Sequence, residues 1–184
     1  MRQGLDIALT QWLNSSAGHR PMLDWFMIGV TDFTIPVMVL AVAVRWWQRE
    51  DRANERMLAV DAGLTFLFGL LINQFILLFV SRLRPYELGV THLIVAPSSD
   101  PSFPSDHATA AMAIVAATLL QHRRLRALIL AIPAALLMVS RIYVGTHYVS
   151  DVVGGMGTAL LAAIVMRATV ALRQPITEVI IRFP

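Results

Sequence analysis

Two histidines, two arginines, a serine and two aspartates of this chain stand at junctions between apolar runs. Pro104-Ser105-Asp106-His107 opens one run, and Ser140-Arg141 closes another. His147 follows Arg141 after five residues, and Asp151 follows His147 after three. Arg84-Pro85 stands just upstream. Charged and titratable groups are costly beside a bilayer, so a cluster of them at one kind of boundary asks for a chemical reason. If a helix begins at Tyr148, His147 and Asp151 share one of its faces. A carboxylate bonded to one ring nitrogen fixes the tautomer and leaves the other nitrogen free to attack. Alone, that spacing describes a plain structural pair equally well.

His107 lies at the start of a predicted helix, where free backbone N–H groups and the positive dipole end suit a phosphate oxygen. The Ser105 hydroxyl adds a donor there, or caps the helix; the two roles are compatible. Arg84 and Arg141 each carry a guanidinium fork that can hold phosphoryl oxygens. Taken singly, either arginine reads as a snorkelling headgroup contact. Together these groups compose a phosphoryl-transfer site that calls for no metal and no other cofactor. Arg84, Arg141, Ser105 and backbone amides stabilise the transferring group. One histidine attacks phosphorus, the other protonates the leaving oxygen, and water then releases the phosphate. Residue types alone leave open which histidine attacks. The orienting aspartate assigns His147 as nucleophile and His107 as general acid, while Asp106 either tunes His107, contacts phosphate or faces solvent.

The elements that position these groups are apolar spans. The chain is 57% hydrophobic and 15% charged, against about 25% charged in a soluble domain. Its charge is gathered between long apolar runs, the layout of a single all-α, polytopic membrane helix bundle over residues 1–184. Five spans are predicted: 22–44, 58–80, 105–120, 127–144 with a kink at Pro133, and 148–166. Residues 4–13 place Leu5, Ala8, Leu9 and Trp12 at helical spacing, which predicts a short interfacial helix, or a sixth span. Asp32, inside the first span, reads as a structural cap or arginine partner before it reads as a site residue. Loop 81–103 is too long for an idle connector, and Gly154, Gly155 and Gly157 predict close helix packing. Residues 1–20 lack the pattern of a cleavable signal peptide. The absence of cysteine excludes disulfides, thiolate metal sites and a cysteine nucleophile.

All 15 basic residues are arginine. Ten fall on one side of the alternating spans (Arg45, Arg49, Arg52, Arg56, Arg123, Arg124, Arg126, Arg167, Arg173 and Arg182) and five on the other. The positive-inside rule makes the first side cytoplasmic, so the site is expected to face outward from the cytoplasmic membrane. These arginines read as topology signals and phosphate ligands, not as a nucleic-acid surface.

The three motifs in order, Arg84-Pro85, Pro104-Ser105-Asp106-His107 and Ser140-Arg141-x5-His147-x3-Asp151, resemble the signature of the type 2 phosphatidic acid phosphatase superfamily. The resemblance implies metal-independent hydrolysis in a membrane helix bundle, with the same residues as nucleophile, acid and phosphate-binding set. One position departs from the pattern. The family's lysine, seven residues before the arginine of Arg-Pro, is Leu77 here. Arg82, or more weakly Asn73 one turn before Leu77, is expected to supply the missing donor. The run from Asp100 to Thr109, Arg82-x-Arg84-Pro85 and Tyr143-Val144-Gly145-x-His147-Tyr148 are similar to the bacitracin-resistance branch of undecaprenyl-diphosphatases. That branch implies a polyprenyl diphosphate substrate among membrane lipids and a role in lipid-carrier recycling for cell-wall synthesis. Glycerolipid phosphates, such as phosphatidylglycerol phosphate or phosphatidic acid, form the same-class alternative. A non-catalytic phospholipid-binding protein with a relic site is the different-class one. A soluble vanadate haloperoxidase would share the anion pocket, but the spans argue against it.

Overall fold

The structure, a computed structural model, describes residues 2–181. Arg182, counted above among the topology arginines, lies outside them. Seven helices follow one another: α1 Arg2–Asn14, α2 Pro21–Ala43, α3 Arg52–Leu77, α4 Asp106–Leu120, α5 Arg124–Tyr143, α6 Val149–Ala168 and α7 Val170–Ile181. A 3-10 turn, Val44–Trp47, extends α2. Four of these elements, α2 with its 3-10 turn, α3, α5 and α6, are long and apolar enough to cross a membrane. The fifth expected span, α4, has only 15 residues. The protein is a multi-pass membrane helix bundle, as the composition predicts. Helix α7 falls in the arginine-bearing tail, where no helix was expected.

Helix α4 is the axis of the bundle and packs against α2, α3, α5 and α6. Its sequence explains why. Ala108, Ala110, Ala111, Ala113, Ala116 and Ala117 are all buried. Small side chains let neighbouring backbones approach closely, which is how helices associate where lipid removes the hydrophobic drive. Ile114 and Val115 fill the remaining space against Met38 of α2 and Ala134 and Leu137 of α5. Leu67, Leu71 and Phe75 of α3 and Leu128, Ile129 and Ile132 of α5 point outward, exposed. On a membrane protein that face meets acyl chains, not water.

Two ends close the bundle differently. At one end the buried Glu55 carboxylate accepts from Arg45 at 3.0 Å and from Arg126 at 2.5 Å, joining the α2–α3 and α4–α5 connections. At the other end, loop 81–104 folds back over the starts of α4 and α6. Tyr86 Oη donates to the Ser98 carbonyl at 2.8 Å and accepts from Ser98 N at 3.1 Å, so the loop closes on itself. Ile94 N donates to the Val144 carbonyl at 3.2 Å. Gly145 has φ of +90°, and a Cβ there would stand 2.5 Å from the His92 carbonyl oxygen. The loop and the α5–α6 turn are therefore in backbone contact, and only glycine fits between them.

Helix α1 lies across this second end. Leu5, Leu9 and Trp12 are exposed, as an interfacial helix requires. Its inward face is polar. Asp6, Thr10 and Asn14 recur every fourth residue and so share that face. Thr10 Oγ1 accepts from Val149 N at 3.2 Å. Asn14 donates to the His92 and Tyr143 carbonyls at 2.9 and 2.7 Å and accepts from His92 N at 2.7 Å.

Candidate active site

The end of α3, the start of α4, the end of α5 and the start of α6 meet beneath loop 81–104. They bring together Ser105 and His107, Arg141, and His147 with Asp151; the loop adds Arg84. His147 is in the tight turn before α6, 3% exposed. Its Nδ1 lies 2.9 Å from the Ser102 carbonyl. A carbonyl only accepts, so Nδ1 carries the proton and Nε2 holds the lone pair. Nε2 accepts a long hydrogen bond from Arg84 Nη1 at 3.5 Å. Burial pushes the imidazole below its ordinary pKa, the Asp151 carboxylate opposes that, and the Arg141 and Arg84 charges reinforce it. The ring is therefore held neutral, the form a nucleophile needs.

Asp151 and His147 do not form the direct hydrogen bond expected of them. Asp151 Oδ2 is 3.8 Å from His147 Nδ1, beyond a hydrogen bond. Instead Oδ2 accepts from Ser102 Oγ at 2.5 Å and from Tyr148 N at 2.8 Å. Ser102 thus links the two: its hydroxyl is bound by Asp151 and its carbonyl orients the ring. Ser102 is fully buried and is not among the residues expected at the site. Its place in the run from Asp100 to His107 is the signal that was there.

Ser105 precedes α4, but its hydroxyl caps nothing. Ser105 Oγ is buried without a hydrogen-bond partner, and so is Arg141 Nε. Unpaired buried polar atoms are uncommon, each costing about 1–3 kcal/mol. Both stand at helix ends near the candidate histidines, Ser105 just before α4 and Arg141 in the last turn of α5. Arg141 lies within electrostatic reach of Arg84, Asp32 and Asp100, and His107 within reach of Arg141, His147 and Arg84.

Arg84 is 3% exposed and well fastened. Its Nη1 donates to the Thr146 carbonyl at 3.0 Å, and its Nε donates to the Asp100 carbonyl at 2.9 Å. Nη2 donates to Asp100 Oδ2 at 3.1 Å. Burial would raise the Asp100 carboxyl, but Ser98 and Arg84 hold it below the usual carboxylate range. The resting site thus carries an ionised carboxylate on one of its arginines.

The expected replacements for the lysine lost at Leu77 are both engaged elsewhere. Arg82 Nη1 donates to Asp151 Oδ1 at 2.5 Å and to Ser150 Oγ at 2.6 Å, and Nη2 donates to Asp6 Oδ2 at 2.8 Å. Asn73 Nδ2 donates to Asp106 Oδ1 at 2.7 Å and Thr109 Oγ1 at 2.9 Å. Asp106, in turn, is fastened to α3 through Asn73.

Two close approaches hold the helix starts in place. Ser105 N donates to the Asp151 carbonyl at 3.1 Å. A Cβ at Gly155 would stand 2.5 Å from the Ser105 carbonyl oxygen, and one at Gly154 would stand 2.3 Å from the Phe103 ring. Gly157 meets nothing within 4 Å. Of the three glycines expected to allow close helix packing, Gly155 does so against α4, Gly154 abuts the loop residue Phe103, and Gly157 meets nothing.

Residues 58–175 match the PAP2 superfamily, the type 2 phosphatidic acid phosphatases. The chain belongs to this superfamily. Undecaprenyl-diphosphatase BcrC of Bacillus subtilis is 32% identical over 89% of the chain and 83% of its own length. Phosphatidylglycerophosphatase B of the same organism is 28% identical over 78% of the chain and 73% of its own length. The crystal structure of a transmembrane PAP2-type phosphatidylglycerolphosphate phosphatase from Bacillus subtilis superposes with a TM-score of 0.67. It is 24% identical, and the match covers 90% of this chain and 84% of that one. These relatives are phosphatases, and this PAP2 protein is a hydrolase of that class.

Proposed function

We propose that this PAP2 protein hydrolyses undecaprenyl diphosphate to undecaprenyl phosphate and inorganic phosphate through a phosphohistidine at His147. The carrying observation is the pair of unpartnered buried donors, Ser105 Oγ and Arg141 Nε, with Ser105 just before His107 in sequence and Arg141 within electrostatic reach of both histidines. A terminal phosphate bound by Ser105, Arg141, Arg84 and the first amides of α4 has its charge met by donors fixed in advance. His147 Nε2 attacks the terminal phosphorus, and the bond to the bridging oxygen breaks. His107 gives that oxygen its proton, and undecaprenyl phosphate leaves. Water then attacks the phosphohistidine, passes a proton to His107, and frees inorganic phosphate together with the imidazole.

The BcrC relative supports the diphosphate substrate. The phosphatidylglycerophosphatase B relative supports a second reading, a glycerolipid monophosphate, with the same residues and steps. The arginine distribution supports a cytoplasmic-membrane protein whose site opens outward. Phosphate release in detergent from undecaprenyl diphosphate, phosphatidylglycerol phosphate and phosphatidic acid tests the substrate. The expected order has the diphosphate first by kcat/KM. A preference for either glycerolipid transfers the protein to the second reading. Undiminished release by His147→Asn would overturn the mechanism in both.

A further inference from the structure

We propose that Asp6 and Arg82 are positioning residues: helix α1, through Asp6, holds Arg82 on Asp151 and thereby sets the charge beside His147. This rests on the nucleophile assignment above.

The connections run without a break from the N-terminal helix to the ring. Asp6 Oδ1 accepts from Ser150 N at 2.9 Å, and Asp6 Oδ2 accepts from Ser150 Oγ at 2.6 Å. Arg82 bridges Asp6 and Asp151, with distances of 2.8 and 2.5 Å. Its guanidinium carbon lies 3.9 Å from the centroid of the Tyr148 ring, a cation–π contact at the start of α6. Asp151 then binds Ser102 Oγ, and the Ser102 carbonyl orients His147. An arginine placed only to snorkel would not make four directed contacts, to Asp6 of α1 and to Tyr148, Ser150 and Asp151 at the start of α6.

The arrangement has an electrostatic side as well. Burial would raise the Asp6 carboxyl, but Ser150 and Arg82 hold it below the usual range, so it is ionised. The groups facing His147 are Arg84 from the loop, Arg141 from α5, His107 from α4 and Asp151 from α6. Arg82 and Asp6 stand behind Asp151. At formal charges Asp6, Arg82 and Asp151 sum to minus one. Removing the arginine charge leaves minus two, and removing the Asp6 charge leaves zero. More negative charge behind the ring favours the imidazolium, and less favours the free base. The two substitutions must therefore move His147 in opposite directions.

The test is the pH dependence of kcat/KM for undecaprenyl diphosphate in detergent, with wild type, Arg82→Gln, Asp6→Asn and Arg82→Lys. Arg82→Gln is expected to lower kcat by about tenfold with KM little changed, and to move the acid limb up by about one pH unit. Asp6→Asn removes the charge while keeping one acceptor oxygen for Ser150 N, and is expected to move the limb down. Arg82→Lys keeps the charge and loses the fork, so it should lower kcat with the limb near wild type. Titration of His147 by 15N NMR, assigned against His147→Asn, reads the same directions without turnover. An inactive wild type with these NMR shifts sinks the functional reading and leaves this one standing. An active wild type in which both variants shift alike, or neither shifts, overturns the inference alone. Should Arg82→Gln fail to fold, the downward shift in Asp6→Asn decides.

Discussion

Replacing Gly155 by alanine adds one methyl group at the seam between α4 and α6. The new Cβ would sit 2.5 Å from the Ser105 carbonyl oxygen, 3.0 Å from Ala108 Cβ and 3.1 Å from Thr109 Oγ1. None of these is the far end of a flexible side chain. The Ser105 carbonyl must retreat by about 0.5 Å before it reaches the 3.0 Å below which such contacts do not occur. Ser105 is tied to Asp151 by its own N–H at 3.1 Å, so the shift opens the seam between the starts of α4 and α6, beside His107 and His147. A misplacement of about 1 Å can cost about 100-fold in rate, so half of that predicts a fall in kcat of roughly tenfold. Overpacking should cost about 1–3 kcal/mol in stability as well, too little to abolish folding of a well-packed bundle. Phosphate release and thermal unfolding in detergent read the two effects separately. Gly157→Ala is the internal control. That position is open, so turnover should not change, and stability should rise by about 0.5–1 kcal/mol from helix propensity. A folded Gly155→Ala that turns over like wild type would refute the claim that this seam sets the catalytic geometry.

Ser105→Ala removes the unpartnered hydroxyl; kcat/KM should fall by about 10- to 100-fold while the melting temperature holds or rises, because no internal bond is lost. The acid limb of kcat/KM assigned to His147 should lie below the ordinary histidine value of about 6.5, because burial favours the free base and the free base attacks. A limb at or above that value in a kcat/KM titration would count against a buried neutral nucleophile. Asn14→Ala removes three hydrogen bonds, one buried and two part-buried, joining α1, loop 81–104 and α5, and should cost about 2–4 kcal/mol in denaturant unfolding.

The spans were legible because lipid imposes a length and a composition that a sequence cannot disguise. Residues 22–44 became α2 Pro21–Ala43, and 105–120 became α4 Asp106–Leu120. The second span begins earlier than its hydropathy suggests, at Arg52, since Glu55 and Arg56 are buried within the helix. His147 and Asp151 were legible as neighbours from their four-residue spacing. Their actual link through Ser102 was not, because Ser102 lies 45 and 49 residues away along the chain. Arg82 illustrates the limit well. Proximity to Arg84 in sequence suggested a phosphate ligand, whereas its partner Asp6 is 76 residues away. The Asp6-Thr10-Asn14 repeat did carry a signal. Polar residues every fourth position on an otherwise apolar interfacial helix are the mark of a face turned toward protein.

The carboxylate of Asp100 on Arg84 gives the resting pocket an occupant of its own. A bowl of bare guanidinium groups opening to an aqueous compartment would fill with whatever small anion is abundant there, including the phosphate it has just released. With Asp100 seated on Arg84 at 3.1 Å, any incoming oxygen must compete with a tethered one. Weak, singly charged ions lose that competition, and a phosphate anchored by its lipid in the same membrane has a high local concentration with which to win it. The tether that delays entry also speeds clearance. Asp100→Asn should therefore bind inorganic phosphate more tightly and suffer stronger product inhibition, so that turnover becomes limited by departure instead of bond breaking.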